Sequence, residues 1–434
     1  MNNNRLKKKK KENRAIIALK FTGISAAIIM VGYMVNLILS GALTGTHISG
    51  GFASAPPPQS VPSNPAIASN PGDSDDANGL DLDNSGYERP PLSANLMEVA
   101  IIGRNYLEEG GRFELPIAGS TGWAAVTQPL LSEARANSAS ILQLLGGQGF
   151  IILEEVGDFW YVEVLDGLTG WVEHRRCFIN LPDIIPSIVY RITNASGSVM
   201  QSSGFAIPGV TGVRFYDGIF MNQRLNRIEY IAPILYITAQ RLHNVQQLAL
   251  ADGNTLVLYE AFRPSEQQGI IVDSLNNLMD MNPQVRAGIN TGPWGIGWFI
   301  STSLSNHQRG VAVDVSLARI TAMESALSGE FQFINVTDFE LHTMPSPMHE
   351  LSVAAVAFTR PINITSVAQI ANNPPAPGMT EAALLMQAYF ASNGFVPLAS
   401  EWWHFDDQAA IRVASSLGII GDFTIETVFS VPVP

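Results

Sequence analysis

Two short segments in the C-terminal half hold the residues best suited to chemistry. One is Ser305-Asn306-His307-Gln308-Arg309-Gly310-Val311-Ala312-Val313-Asp314; the other is Glu401-Trp402-Trp403-His404. Together they offer two imidazoles and one aspartate, with a glutamate three residues before the second histidine. Two imidazoles and a carboxylate are ligand types that zinc accepts, and three protein ligands leave a fourth position open. A further carboxylate beside that position can take a proton from water. The inventory is that of a zinc hydrolase.

These residues need elements to position them. Val311 to Leu317 is valine-rich and alternating, which predicts a strand with Asp314 inside it. His307 lies seven residues upstream, across the turn-prone Gly310, so a loop can fold it back beside the strand. Glu401 to Phe405 follows the breaker Pro397 and is aromatic, again strand-like. Strand alternation puts Glu401 and Trp403 on one face and Trp402 and His404 on the other. Glu401 and His404 can then reach one ion only if the strand bends or ends there. Taken singly, either histidine reads as an ordinary surface or core residue; the constellation is what argues for a metal.

The pattern Ser-x-His-x-x-Gly-x-Ala-x-Asp followed by Glu-x-Trp-His resembles the D-alanyl-D-alanine dipeptidase and carboxypeptidase group of zinc peptidases. Glu401-Trp402-Trp403-His404-Phe405 is similar to the dipeptidase branch. So is Met344-Pro345-Ser346-Pro347-Met348-His349-Glu350, beside that branch's Met-x-Thr-Pro-Phe-Asp segment. Tyr259-Glu260-Ala261-Phe262-Arg263-Pro264 matches the site of the group's active-site arginine. The resemblance covers roughly residues 205–425. It implies that His307, Asp314 and His404 bind one Zn2+, that Glu401 is the general base, and that Arg263 stabilises the oxyanion. A permanently charged, forked guanidinium suits that last role. Ser305 reads equally as a substrate hydrogen-bond donor and as a turn serine satisfying local backbone.

One position departs from the pattern. The aspartate expected to hold a dipeptide's free amino group is replaced by His349. A neutral imidazole is a poorer ammonium partner; Glu350 could substitute as a substrate-binding acid, although a shift of one residue changes its direction. Selectivity for free dipeptides is therefore expected to be relaxed.

The chain has 434 residues, enough for two or three domains. Lys7 to Lys11 is a basic run, and Phe21 to Leu43 carries no charge over 23 residues. At about 1.5 Å per residue this stretch spans a hydrocarbon core of about 30 Å. Residues 1–20 are expected to be a cytoplasmic tail and 21–43 an uncleaved, single-pass membrane anchor, with everything after it outside the cytoplasm. A cleaved signal peptide is the competing reading. Residues 44–95, rich in Pro, Ser, Asn, Gly and Asp, read as a disordered linker that gives reach. Beyond Lys20 there are no lysines, and 17 arginines face 37 acidic residues, a formal charge of −20. So acidic a chain argues against nucleic-acid binding. The single cysteine, Cys177, excludes an internal disulfide and reads as a small buried apolar residue.

Residues 118–182 are expected to form a small β domain. A first strand runs from Trp123 to Val126 and ends before Pro129, and others cover Phe150–Glu155, Phe159–Val164 and Gly170–Val172, with turns at Gly157-Asp158 and Asp166-Gly167. Trp160-Tyr161-Val162 with Gly170-Trp171-Val172 resembles bacterial SH3-like domains, and the resemblance implies attachment to peptidoglycan. The same aromatic residues also serve as an ordinary barrel core. Residues 205–425 are expected to be an α+β catalytic domain. It has helices over Glu229–Leu250, from a cap at Ser265 to Met281, and over Glu381–Asn393, and a strand over Leu256–Tyr259. The glycine-rich Gly292–Gly297 lacks a following Lys-Ser/Thr, so it reads as a lid or pocket wall rather than a phosphate loop.

Three functions are in competition. The first is a zinc peptidase hydrolysing D-alanyl-D-alanine. The second is a carboxypeptidase or endopeptidase on peptidoglycan stem peptides. The third is a non-catalytic wall-binding protein on a degenerate peptidase fold.

Overall fold

Strands position Asp314, Glu401 and His404, and loops beside them carry Arg263, Ser305, His307, His349 and Glu350. A computed structural model describes residues 103–433. The expected cytoplasmic tail, anchor and linker lie outside them. Among the described residues no helix is long and apolar enough to cross a membrane. The fold is mixed α+β and built on two largely antiparallel sheets.

The first sheet holds β1 (Thr121–Ala124), β2 (Gln128–Leu131), β3 (Ser140–Leu144), β4 (Gly149–Val156), β5 (Phe159–Val164), β6 (Thr169–Glu173) and β7 (Cys177–Asn180). The second begins with β8 (Val189–Tyr190). Two small hairpins follow, β9 (Gln201–Ser202) with β10 (Phe205–Ala206), and β11 (Ile219–Asn222) with β12 (Arg227–Tyr230). Next, β13 (Pro233–Leu235) pairs back onto β7 and completes the eight-stranded order β13-β7-β1-β4-β5-β6-β2-β3. The six-stranded sheet adds β14 (Asn254–Glu260), β15 (Ala312–Ser328), β16 (Phe331–Leu341), β17 (Phe395–Leu398) and β18 (Glu401–Asp407). Its order is β17-β18-β15-β14-β8, with β16 on the outer half of β15. The longer helices are α1 (Tyr236–Ala251), α2 (Ser265–Met281), α3 (Pro283–Ile289), α4 (Glu381–Ser392) and α5 (Gln408–Leu417).

One apolar core runs through both sheets. It joins Ile152, Trp160 and Val172 of the first to Leu256, Val313 and Phe405 of the second. Helix α1 bridges them. Its Tyr236 meets the edge of Trp160 at 4.6 Å and donates to Glu155 Oε1 at 2.8 Å. Farther along, Gln246 Oε1 accepts from the Leu256 amide at 3.0 Å. Each large side chain buried this way contributes about 1.5–3 kcal/mol. The chain's last described residues return to the first sheet, where Trp123 Nε1 donates to the Glu426 carbonyl at 2.5 Å. Cys177 is buried within this core; desolvation pushes its thiol up to about 12, which leaves it unreactive.

Some expected boundaries move. The helix expected from Glu229 starts at Tyr236, because Glu229 pairs with Phe220 in a hairpin and Pro233 pairs with Asn180. A proline at that point would have broken a helix interior. Ser265 is the first helical residue rather than the cap; Pro264 holds the cap position. Pro283 does more than stop α2. It opens α3, whose exposed amides at Gln284 and Val285 are capped by Asn282 Oδ1. The first strand covers Thr121–Ala124, and Pro129 falls inside β2.

Candidate metal centre

Three neighbouring strands form a row of titratable groups. Glu260 of β14 pairs with Asp314 of β15, and Asp314 pairs with His404 of β18. His307 enters from the loop before β15. The chain folds back there as expected: Gly310 adopts φ +62°, and its amide donates to the His307 carbonyl at 3.1 Å. A Cβ on Gly310 would sit 2.7 Å from the Phe178 ring, so both conformation and space require glycine.

The conflict of strand parity is resolved by a bulge. Pro397 of β17 pairs with Phe405, yet the next residue, Leu398, pairs with Glu401. The extra residues of β18 break the alternation. Glu401 and His404 thereby come to the same side, with Glu401 Oε2 3.7 Å from His404 Nδ1.

Three atoms converge. His404 Nδ1 lies 3.0 Å from Asp314 Oδ1, His307 Nε2 lies 3.3 Å from the same oxygen, and the two ring nitrogens are 3.1 Å apart. All three residues are buried. Ligands about 2.0–2.1 Å from a tetrahedral zinc lie about 3.3–3.4 Å from one another, so these separations suit an ion at their centre. The other nitrogen of each ring has its own acceptor: His307 Nδ1 faces the Ala261 carbonyl at 3.3 Å, and His404 Nε2 faces Asp406 Oδ1 at 3.0 Å. With their protons placed there, both rings turn lone pairs toward the centre. A cation is what such a donor set accommodates, and carboxylate or carbonyl partners behind the histidines fix their tautomers. His307, Asp314 and His404 could therefore hold a metal ion.

The surrounding charges tune these groups. Burial opposes ionisation of Asp314, but His307, His349 and His404 together hold its carboxyl well below the usual range. Burial likewise disfavours a charged His404, and Asp406 and Asp314 outweigh it and raise its proton affinity. Desolvation pushes Glu401 up to about 8, with Asp314 adding to the shift. A cation in the centre would draw the Glu401 pKa back down.

Arg263 is anchored on two sides. Its Nε lies 2.5 Å from Glu260 Oε1, and its Nη1 donates to Gln268 Oε1 at 2.7 Å. Nη2 stands 4.0 Å from Asp314 Oδ2. Burial works against its charge, and Glu260 more than offsets that. Arg263, His307, Asp314, Glu401 and His404 all line one cavity of about 390 Å³. Of the glycine-rich loop expected to be a lid or pocket wall, only Gly297 lines the cavity; Trp298, Phe299 and Ile300 just after it do as well.

The residues expected to bind substrate divide. Ser305 lines the cavity, and its Oγ accepts from the His307 amide at 3.3 Å, so it serves the turn as well. His349 lines the cavity, but its Nε2 lies 3.0 Å from Asp314 Oδ2. Glu350 is turned away: its oxygens accept from Ser203 N at 2.5 Å, Gly204 N at 3.1 Å and Ser352 Oγ at 2.6 Å. It is therefore committed to a loop rather than to the cavity. Sequence reasoning missed Glu260, Asp406 and Asn306, whose Nδ2 donates to Asp406 at 2.9 Å. Glu260 and Asn306 sat inside segments already singled out, and Asp406 lies two residues after His404.

Fold and site together describe a buried two-histidine, one-carboxylate centre on a mixed α+β scaffold, with a second carboxylate and an arginine at hand. No family model matches the chain. The chain is distantly similar to the D-alanyl-D-alanine dipeptidase of Escherichia coli (strain K12), with 25% identity over 159 residues. The match covers 37% of this chain and 58% of that protein, so the chain spans less than two thirds of its relative's length.

Proposed function

We propose that this protein is a zinc-dependent hydrolase of peptides ending in D-alanyl-D-alanine. The observation that carries the reading is the convergence of His307 Nε2, Asp314 Oδ1 and His404 Nδ1, with the Glu401 carboxylate 3.7 Å from His404. When bound, zinc supplies Lewis acidity that polarises a carbonyl and lowers the pKa of water towards about 7. His307, Asp314 and His404 would hold the ion. Glu401 accepts the proton of the attacking water and delivers it to the leaving amine. Arg263, braced by Glu260 and Gln268, faces the oxygen that becomes negative.

Neither His349 nor Glu350 offers a free carboxylate to a substrate ammonium. This favours a site that accepts N-acylated or longer chains beside the free dipeptide, and so brings in carboxypeptidase or endopeptidase action on stem peptides. The N-terminal apolar segment would tether the enzyme to the membrane with its site outside, and an SH3-like reading of residues 118–182 would bring it to peptidoglycan. The test is product analysis on D-Ala-D-Ala beside a pentapeptide stem, with and without a zinc chelator. The expected result is chelator-sensitive release of D-alanine from both. No hydrolysis of either by a zinc-loaded protein would leave the wall-binding reading in its place.

Arg263→Ala should lower kcat more than it raises KM, because the charge it meets develops only in the transition state. An oxyanion donor is worth about 2.7–4 kcal/mol. Arg263→Lys, which leaves a cation beside Glu260, controls for the cost of an unpaired buried carboxylate. A change confined to KM would make Arg263 a clamp for the substrate's terminal carboxylate.

A further inference from the structure

The two oxygens of Asp314 face different ways. Oδ1 meets His307 Nε2 and His404 Nδ1, whereas Oδ2 meets His349 Nε2 at 3.0 Å. Among the described residues His349 Nδ1 has no hydrogen-bond partner, so the ring proton belongs on Nε2, where it is donated to Asp314. The ring is buried against Trp403, with centroids 5.8 Å apart and planes at 75°. The backbone of His349 adopts φ +58°, a conformation uncommon outside glycine, though histidine, asparagine and aspartate take it more readily than other residues. It is held there by the Gln201 amide, which donates to the His349 carbonyl at 3.1 Å. A buried ring held at positive φ, with its one donor aimed at a buried carboxylate, fixes that carboxylate oxygen in place.

We propose that His349 is a positioning residue for Asp314, reserving Oδ1 for the metal by holding Oδ2 in a hydrogen bond. This rests on the metal reading of the site. A free carboxylate can swing and offer both oxygens to one ion, which would fill the position the water needs. Fixing Oδ2 keeps the ligand one-toothed and the fourth position open. At the place where the resembled pattern has an acid for the substrate, this chain has a donor for the centre itself.

The neighbouring group Glu260, Asp314 and His349 could also be read as a second ion site. Arg263 argues against it, because a guanidinium 2.5 Å from Glu260 Oε1 already supplies the compensating charge.

The test uses the full chain with His349→Asn and His349→Gln. Asparagine tolerates the backbone conformation but is too short to reach Asp314, whereas glutamine carries an amide donor near the lost Nε2. Zinc affinity is measured by competition with a chromophoric chelator, and folding of each metal-free variant by its melting temperature. The expected result is a zinc affinity lower by about 10–100-fold in His349→Asn, the size typical of outer partners of metal ligands. His349→Gln should return to within a few-fold of the parent. A crystal structure of the zinc-loaded parent should show one Asp314 oxygen on the ion and the other on His349. Unchanged affinity in a folded His349→Asn overturns the proposal, as does an Asp314 bound through both oxygens. A second equivalent of zinc that His349→Asn loses also overturns it, by making His349 a ligand. Absence of zinc binding by the parent refutes the metal reading itself, which no other outcome does.

Discussion

Glu401→Gln should keep its zinc and lose turnover by about 10²–10⁴-fold, the usual worth of a general base. Glutamine has the shape of glutamate and no charge to desolvate. Glu401 is buried, and burial already pushes its carboxyl up to about 8, so the neutral amide should not weaken the fold. The carboxylate also stands outside the three converging ligand atoms, which is why metal affinity should survive. Zinc content and steady-state rates on the same preparation check both halves. Near-parental activity in the zinc-loaded variant would remove Glu401 from the chemistry. Loss of zinc along with activity would make it a ligand.

The other large effect is expected at the ligands. His307→Ala, Asp314→Ala and His404→Ala should each weaken zinc by more than the roughly 10–100-fold assigned to outer partners, because three protein ligands leave no redundancy. His404→Ala is the cleanest of the three. Its outer partner Asp406 keeps the hydrogen bond from Asn306, whereas Asp314→Ala strands His349. Full occupancy in any of the three, measured by elemental analysis after dialysis, would show that the ligand is misassigned.

Much of this centre was legible from residue types and short spacing. His307, Gly310 and Asp314 sit in one segment, and a glycine before a valine-rich strand is enough to predict the fold-back. The joint approach of Glu401 and His404 was not legible, since strict alternation separates them; the bulge opposite Pro397 and Leu398 is a property of pairing with β17, which no local pattern reports. Helix α1 was placed too early because the apolar periodicity runs unbroken through Ile231, Ile234 and Leu235, the last two of which pair with Ile179 and Phe178 of β7. The role of His349 depends on a contact with Asp314, 35 residues away in sequence, and on a backbone conformation that sequence does not announce. Composition could suggest the β character of residues 118–182, but not that β13 would join their sheet.

The row Glu260–Asp314–His404 has a consequence for how the protein is made. His404 stands 97 residues from His307 and 90 from Asp314 along the chain. No partly grown or locally folded segment holds the full set, so an ion cannot organise the centre from a few neighbouring residues. Long-range pairing of β14, β15 and β18 must come first, and such pairing is slow to form. An ion bound there would then arrive late, on a finished sheet, and would add about 4 kcal/mol when free metal exceeds its dissociation constant a thousandfold. During biogenesis, metal scarcity would act after folding, on the lifetime of the completed protein rather than on its yield.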